Sequence, residues 1–158
     1  MVREGEAKGR MGEGSPMDIA LGEARIAAER GEVPVGAVVM RDGAVIARAH
    51  NETRLRNDPT AHAELLAIRR AARALGTDRL AGLDLYVTLE PCAMCAGAIQ
   101  HARLARVYFG AEDEKGGGAI NGAGVLRQPH ALHRPDVYGG FQEAEAARLL
   151  RAFFRARR

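Results

Sequence analysis

The 158-residue sequence has only two cysteines, Cys92 and Cys95, three positions apart. Such a pair cannot staple a chain of this length with a disulfide framework, which points to an intracellular protein. No apolar run approaches the roughly 18 residues of a transmembrane helix, so no membrane partner is expected. The first sixteen residues hold four glycines and mixed charges but no apolar core, which excludes a secretory signal. Glu4, Glu6 and Glu13 argue against a transit peptide, and Met11 or Met17 is an alternative start. The reading is a disordered leader over residues 1–16 and one cytoplasmic domain over 17–158, with no internal repeat.

What is present is ordinary for a globular domain: 47% hydrophobic and 27% charged residues. The net charge of +3 permits a nucleic-acid partner without demanding one. The charge is unevenly placed, since residues 148–158 hold five arginines and no acid.

The pattern predicts a helix over 17–30, with Ile19, Ile26 and Ala27 facing a core and Gly31 ending it. "VPVGAVVM" and "VIARAHN" read as strands joined by a tight Asp42-Gly43 turn. A helix follows over 61–74, stopped by Gly76. "LDLYVTLE" is a strand, "CAMCAGAIQHARL" a short helix, "RVYFG" a strand and "DVYGG" an edge strand. Between the last two lies a long glycine-rich loop, 111–135, of the kind that is functional or mobile. Residues 141–157 form an amphipathic helix with Leu149, Leu150, Phe153 and Phe154 on its apolar side. Strands alternating with helices predict an α/β fold, a three-layer α/β/α sandwich on a mixed central sheet of about five strands.

Two helix starts carry chemistry. His62 and Glu64 open one, and Pro91, Cys92 and Cys95 open the other. Two thiolates and one imidazole make a Cys₂His donor set suited to zinc. Cys92 and Cys95, as i and i+3 on one helix, would present both sulfurs on one face, and the helix N-terminus favours thiolates. His62 and Glu64 cannot meet across a helix, yet first-turn side chains lean towards the N-terminus and can converge beyond it. Glu64 would then serve as the base for a water on the metal. A fourth protein ligand stays open: His101 lies roughly 120° around the helix from Cys95, while spacing leaves His50, His130 and His133 possible. Cys-x-x-C alone would also suit a redox pair.

"HAE" followed by "PCAMC" resembles the zinc-dependent nucleobase and nucleoside deaminases, whose general signature this is. "VPVGAVV", "NDPTAHAE", "LYVTLEPCAMCAGAI" and "RVYFGAEDEKGG" are similar to the bacterial tRNA-specific adenosine deaminases. The resemblance implies a cytidine-deaminase-like fold, a homodimer and one zinc per subunit on His62, Cys92 and Cys95. It implies that Glu64 shuttles protons from the attacking water to the base. It also implies that the Ala63 N–H faces the oxygen at C6, that Asn51 contacts the base, and that Pro34 and Val35 wall the pocket. The implied substrate is adenosine at the first anticodon position of a tRNA anticodon stem-loop, converted to inosine. Asp113, Lys115, Phe154, Arg155, Arg157 and Arg158 match the RNA-contacting segments. The loop "GGGAINGAGVL" is richer in glycine than the family pattern. The alternatives are a zinc deaminase of a free base or nucleoside, such as guanine or cytosine, and a non-catalytic zinc-stabilised RNA-binding module.

Overall fold

The computed structural model describes residues 14–157, so residues 1–13 of the expected leader and Arg158 lie outside the described residues. Helix α1 (Pro16–Glu29) begins with a reciprocal cap: the Ser15 hydroxyl accepts from the Asp18 N–H and the Asp18 carboxylate accepts from the Ser15 N–H. Strands β1 (Gly36–Arg41) and β2 (Ala44–His50) form the expected hairpin. Asp42 and Gly43 both take positive φ, 49° and 79°, as a two-residue turn of matching twist requires.

Helix α2 (Ala63–Leu75) ends on left-handed Gly76. Then come β3 (Asp84–Leu89), α3 (Ala93–Ala102) and β4 (Arg106–Ala111). The long connection that follows contains a 3-10 turn, Val125–Arg127, before β5 (Asp136–Tyr138) and α4 (Glu143–Arg155) close the fold.

The five strands lie in the order β2-β1-β3-β4-β5. β1 runs antiparallel to both its neighbours, and β3, β4 and β5 are mutually parallel. Alternate side chains therefore serve two cores. Val39, Leu85, Val87, Val107 and Phe109 pack towards α2 and α3. Val38, Met40, Tyr86 and Tyr108 pack towards α1 and α4. This is the expected three-layer α/β/α sandwich with a mixed five-stranded sheet.

Two apolar positions differ from expectation. Ile26 is exposed, because the buried stripe at that end of α1 runs through Ala20, Ala24 and Ala27. Phe153 is buried at 6% exposure while Phe154 is 49% exposed. Neighbours on a helix point about 100° apart, so only one of the two phenylalanines can face the sheet.

The register brings four element ends together. Gly36 pairs with His50, Ala37 with Val87, and Leu89 with Ala111. The start of β1 and the ends of β2, β3 and β4 therefore lie at one end of the sheet, where α/β folds place their ligands.

Candidate metal centre and active site

His62 and Cys92 sit one step before their helices. Each is an N-cap with extended backbone, φ −75° and ψ 151° for His62, φ −71° and ψ 173° for Cys92. This corrects two sequence expectations. The helix read over 61–74 starts at Ala63, so His62 is outside its first turn. Cys92 and Cys95 likewise do not share a helical face, since only Cys95 is inside α3. Extended caps point side chains past the helix end, and neither residue makes a side-chain capping bond. Both are thus turned to a common point.

Among the described residues, His62, Cys92 and Cys95 form the group that could hold a metal, their ligand atoms all within 4.8 Å of one another. The His62 Nδ1 lies 3.6 Å from Cys92 Sγ and 3.5 Å from Cys95 Sγ. A tetrahedral zinc with ordinary Zn–S and Zn–N bonds would hold nitrogen and sulfur about 3.6 Å apart. The donors are spaced for that ion. The hydrogen bonds from the Cys95 thiol and from His62 hold the Cys92 thiol down at about 3. The Cys95 thiol is pushed up, first by its bond to Cys92 and then by burial. Its bond to Cys92 raises the His62 imidazole. These shared protons are what a divalent cation displaces.

Among the described residues, no other histidine joins the group. His50 Nδ1 is 2.7 Å from the Glu23 carboxylate, and His133 Nε2 is 2.7 Å from the Leu104 carbonyl oxygen. His101 and His130 are also outside the group.

Glu64, at 4% exposure, lies in the first turn of α2, hydrogen-bonded to Cys95. Burial pushes its carboxyl above the usual range, outweighing its own N–H and His62, which favour the ionised form. A carboxyl with a raised pKa beside a metal-ligand set is placed for acid–base work. His62, Ala63, Glu64 and Cys92 open onto one cavity of ≈ 340 Å³. Ala63 is the first residue of α2, where helix N–H groups have no intrahelical acceptor and can face a ligand.

Asn51 and Val35 line the same cavity. The Asn51 N–H donates to the Val35 carbonyl, 3.1 Å, and its Oδ1 accepts from the Thr53 N–H, 3.2 Å. The Asn51 amide is thus oriented with its Nδ2 as the remaining donor. Pro34 is buried but not part of the lining; Val33 stands there with Val35. Asp113 also lines the cavity, whereas Lys115 does not.

The residues of α4 do not reach this cavity. Phe154 and Arg155 line a separate one of ≈ 430 Å³ with Leu150 and Arg151. The Arg157 guanidinium lies over the Phe153 ring at 3.7 Å and donates to the Gly31 carbonyl, 3.2 Å. It anchors the helix end.

Sequence reasoning missed Thr53, Leu89, Gly116 and above all Glu90, which all line the cavity. The available signal for Glu90 was a carboxylate just past a mostly buried strand, a residue type rarely buried without partners.

The family model of MafB19-like deaminases matches residues 13–158. The tRNA-specific adenosine deaminase of Agrobacterium fabrum is 58% identical over 142 residues, covering 90% of this chain and 93% of that protein. The enzyme of the same name from Bacillus subtilis is 48% identical over 139 residues, covering 88% and 86%. A solved structure from a study of A-to-I editing by tRNA:A34 deaminases at the wobble position superposes with a TM-score of 0.83 at 57% identity, covering 85% of this chain and 98% of that one.

Proposed function

The chain belongs to the MafB19-like deaminases and, within them, to the tRNA-specific adenosine deaminases; from that premise we propose that it hydrolyses adenosine to inosine at the wobble position of tRNA. The observation that carries the chemistry is the convergence of His62, Cys92, Cys95 and buried Glu64 at one cavity. The similarity to the tRNA enzymes supplies the substrate.

His62, Cys92 and Cys95 would hold one zinc per chain. Bound there, zinc acidifies water and so supplies a nucleophile at neutral pH. Glu64 takes the proton of the attacking water, delivers it to N1 of the adenine and then relays one to the amino group at C6. Ammonia leaves, and C6 keeps the oxygen. The Ala63 N–H donates to that oxygen as charge develops on it. Asn51 donates its Nδ2 to the base, while Val33 and Val35 pack against the ring. The cavity takes a base out of its stack, and an anticodon loop already presents unpaired bases, so extrusion costs little.

Asp113 and Lys115, and the exposed Phe154 and Arg155 on α4, are the proposed RNA contacts, with Phe154 offering a ring on which a base stacks. Arg157 belongs to the fold rather than to this surface. A cytoplasmic homodimer completes the proposal; sedimentation at micromolar concentration showing only monomer contradicts it.

The test of the enzyme against a silent RNA-binding module is Glu64→Ala. On an anticodon stem-loop its kcat should fall by about 10²–10⁴, the scale of a lost general acid–base. Zinc content and stem-loop affinity should stay. Equal turnover by wild type and variant removes Glu64 from the chemistry.

A further inference from the structure

Residues 112–121 form no helix or strand, yet their course is fixed from one point. Glu90, 2% exposed just past β3, has a carboxylate that accepts four hydrogen bonds from this loop. Its Oε1 accepts from the Asp113 N–H at 3.2 Å and the Asn121 Nδ2 at 2.6 Å. Its Oε2 accepts from the Ile120 N–H at 3.0 Å and the Asn121 N–H at 2.9 Å. The neighbouring Pro91 carbonyl accepts from the Gly118 and Ala119 N–H groups, 2.9 and 3.1 Å.

The glycines are fitted to these anchors. A Cβ on Gly117 would lie 2.7 Å from the Glu90 carboxyl, and one on Gly118 would lie 2.3 Å from the Ala93 nitrogen. The loop's glycine content therefore serves close approach. Asp113, suspended from Glu90 by its N–H, in turn gathers the Lys115 and Gly116 N–H groups on its Oδ1, at 3.2 and 2.8 Å. Asp113 and Gly116 then form part of the cavity lining.

We propose that Glu90 is a positioning residue for substrate: it sets the cavity wall carried by Asp113 and Gly116, and so the fit of the target nucleotide. All four of its loop partners are donors, which only an ionised carboxylate satisfies in full. Glu90 and Glu64 border the same cavity and divide the work. The proposal rests on reading that cavity as the adenosine site.

Four variants test it: Glu90→Gln, Asn121→Ala, Asp113→Asn and the Glu90→Gln/Asp113→Asn double. The first measurement is amide exchange, which needs no substrate. Glu90→Gln should speed exchange at Asp113, Ile120 and Asn121 by about tenfold or more, the scale of a lost hydrogen bond to a charged group. Exchange in α2 and zinc content should stay as in the wild type. The second measurement is turnover of an anticodon stem-loop. Glu90→Gln should raise KM by about tenfold or more with kcat within about threefold, the signature of lost uniform binding. The double variant should be no worse than the worse single, since both act through one wall. Asn121→Ala, which loses one of the four bonds, should move exchange and KM the same way by less, and it decides the matter if Glu90→Gln does not fold.

Unchanged exchange overturns the proposal. So does a kcat loss like that of Glu64→Ala with KM unchanged, or single effects that multiply in the double. If the wild type does not turn over the stem-loop, the functional reading fails, and exchange alone upholds or overturns the Glu90 wall.

Discussion

His62 shows how a single backbone choice sets the chemistry. As an N-cap in extended conformation it turns its ring out of α2, while Glu64, two residues on, is inside the helix. Pro91-Cys92 repeats the device on α3. The sequence pattern of His-x-Glu and Pro-Cys-x-x-C made the residue identities legible. The cap geometry was not, because a cap is defined by φ and ψ rather than by residue type, and helix ends are the least certain positions to read. The His62 nitrogen is spaced from both sulfurs as zinc needs, and each donor should matter separately. Cys95→Ser should lower zinc affinity by more than about 100-fold, beyond the usual effect of an outer-shell change. Metal analysis after dialysis against a mild chelator checks it, with circular dichroism reporting that the helices remain.

At the scale of elements, α1 lies unusually close to β1. A Cβ on Gly36 would lie 1.9 Å from the Ala20 carbonyl oxygen and 2.7 Å from the Ala24 nitrogen. Gly36→Ala must push the helix off the sheet, so it should destabilise by about 3 kcal/mol or more and lower Tm by roughly 10 °C. Thermal unfolding measures this directly. Glu52, at the start of the loop between β2 and α2, is the second control point. It is 6% exposed and faces Arg30, Arg56, Arg70 and His50. Burial raises its carboxyl, but the hydrogen bond and charge of Arg56 and the charge of Arg70 outweigh it, and the group sits below its ordinary value. A lowered folded-state pKa means stability that is present above the unfolded value of about 4.3 and lost as pH falls through the folded one. Glu52→Gln should therefore flatten the acid limb of a stability–pH curve below about pH 5 and leave its shape near neutrality alone.

The order of elements was readable because each long element has its own period and its own punctuation, such as Asp42-Gly43 and Gly76. The 111–135 loop was not. Its shape comes from Glu90, more than twenty residues upstream, and no local pattern encodes a partner that distant.

For the whole molecule, two separate cavities stand out. The end of the sheet holds the proposed chemistry, and α4 presents Arg151, Phe154 and Arg155 around a second cavity. Cutting α4 away would not test that face cleanly, since buried Phe153 and its Arg157 partner belong to the fold. Replacing exposed Arg151 and Arg155 by alanine leaves these in place. If both meet phosphates of the RNA, KM should rise, kcat should hold, and the slope of log KM against log salt should shrink by about 0.7 for each phosphate no longer neutralised. An unchanged slope assigns the face to something other than RNA.

Wobble adenosine deamination leaves inosine at one tRNA position, and mapping that position reads it out. The zinc-loaded protein is incubated with a tRNA carrying adenosine at the first anticodon position, beside free adenosine, guanine and cytosine. The RNA is then digested and its inosine mapped. Inosine at that position alone, with the free compounds untouched, is the predicted result. Ammonia from a free base with the tRNA unaltered would contradict the substrate while leaving the metal-site chemistry standing.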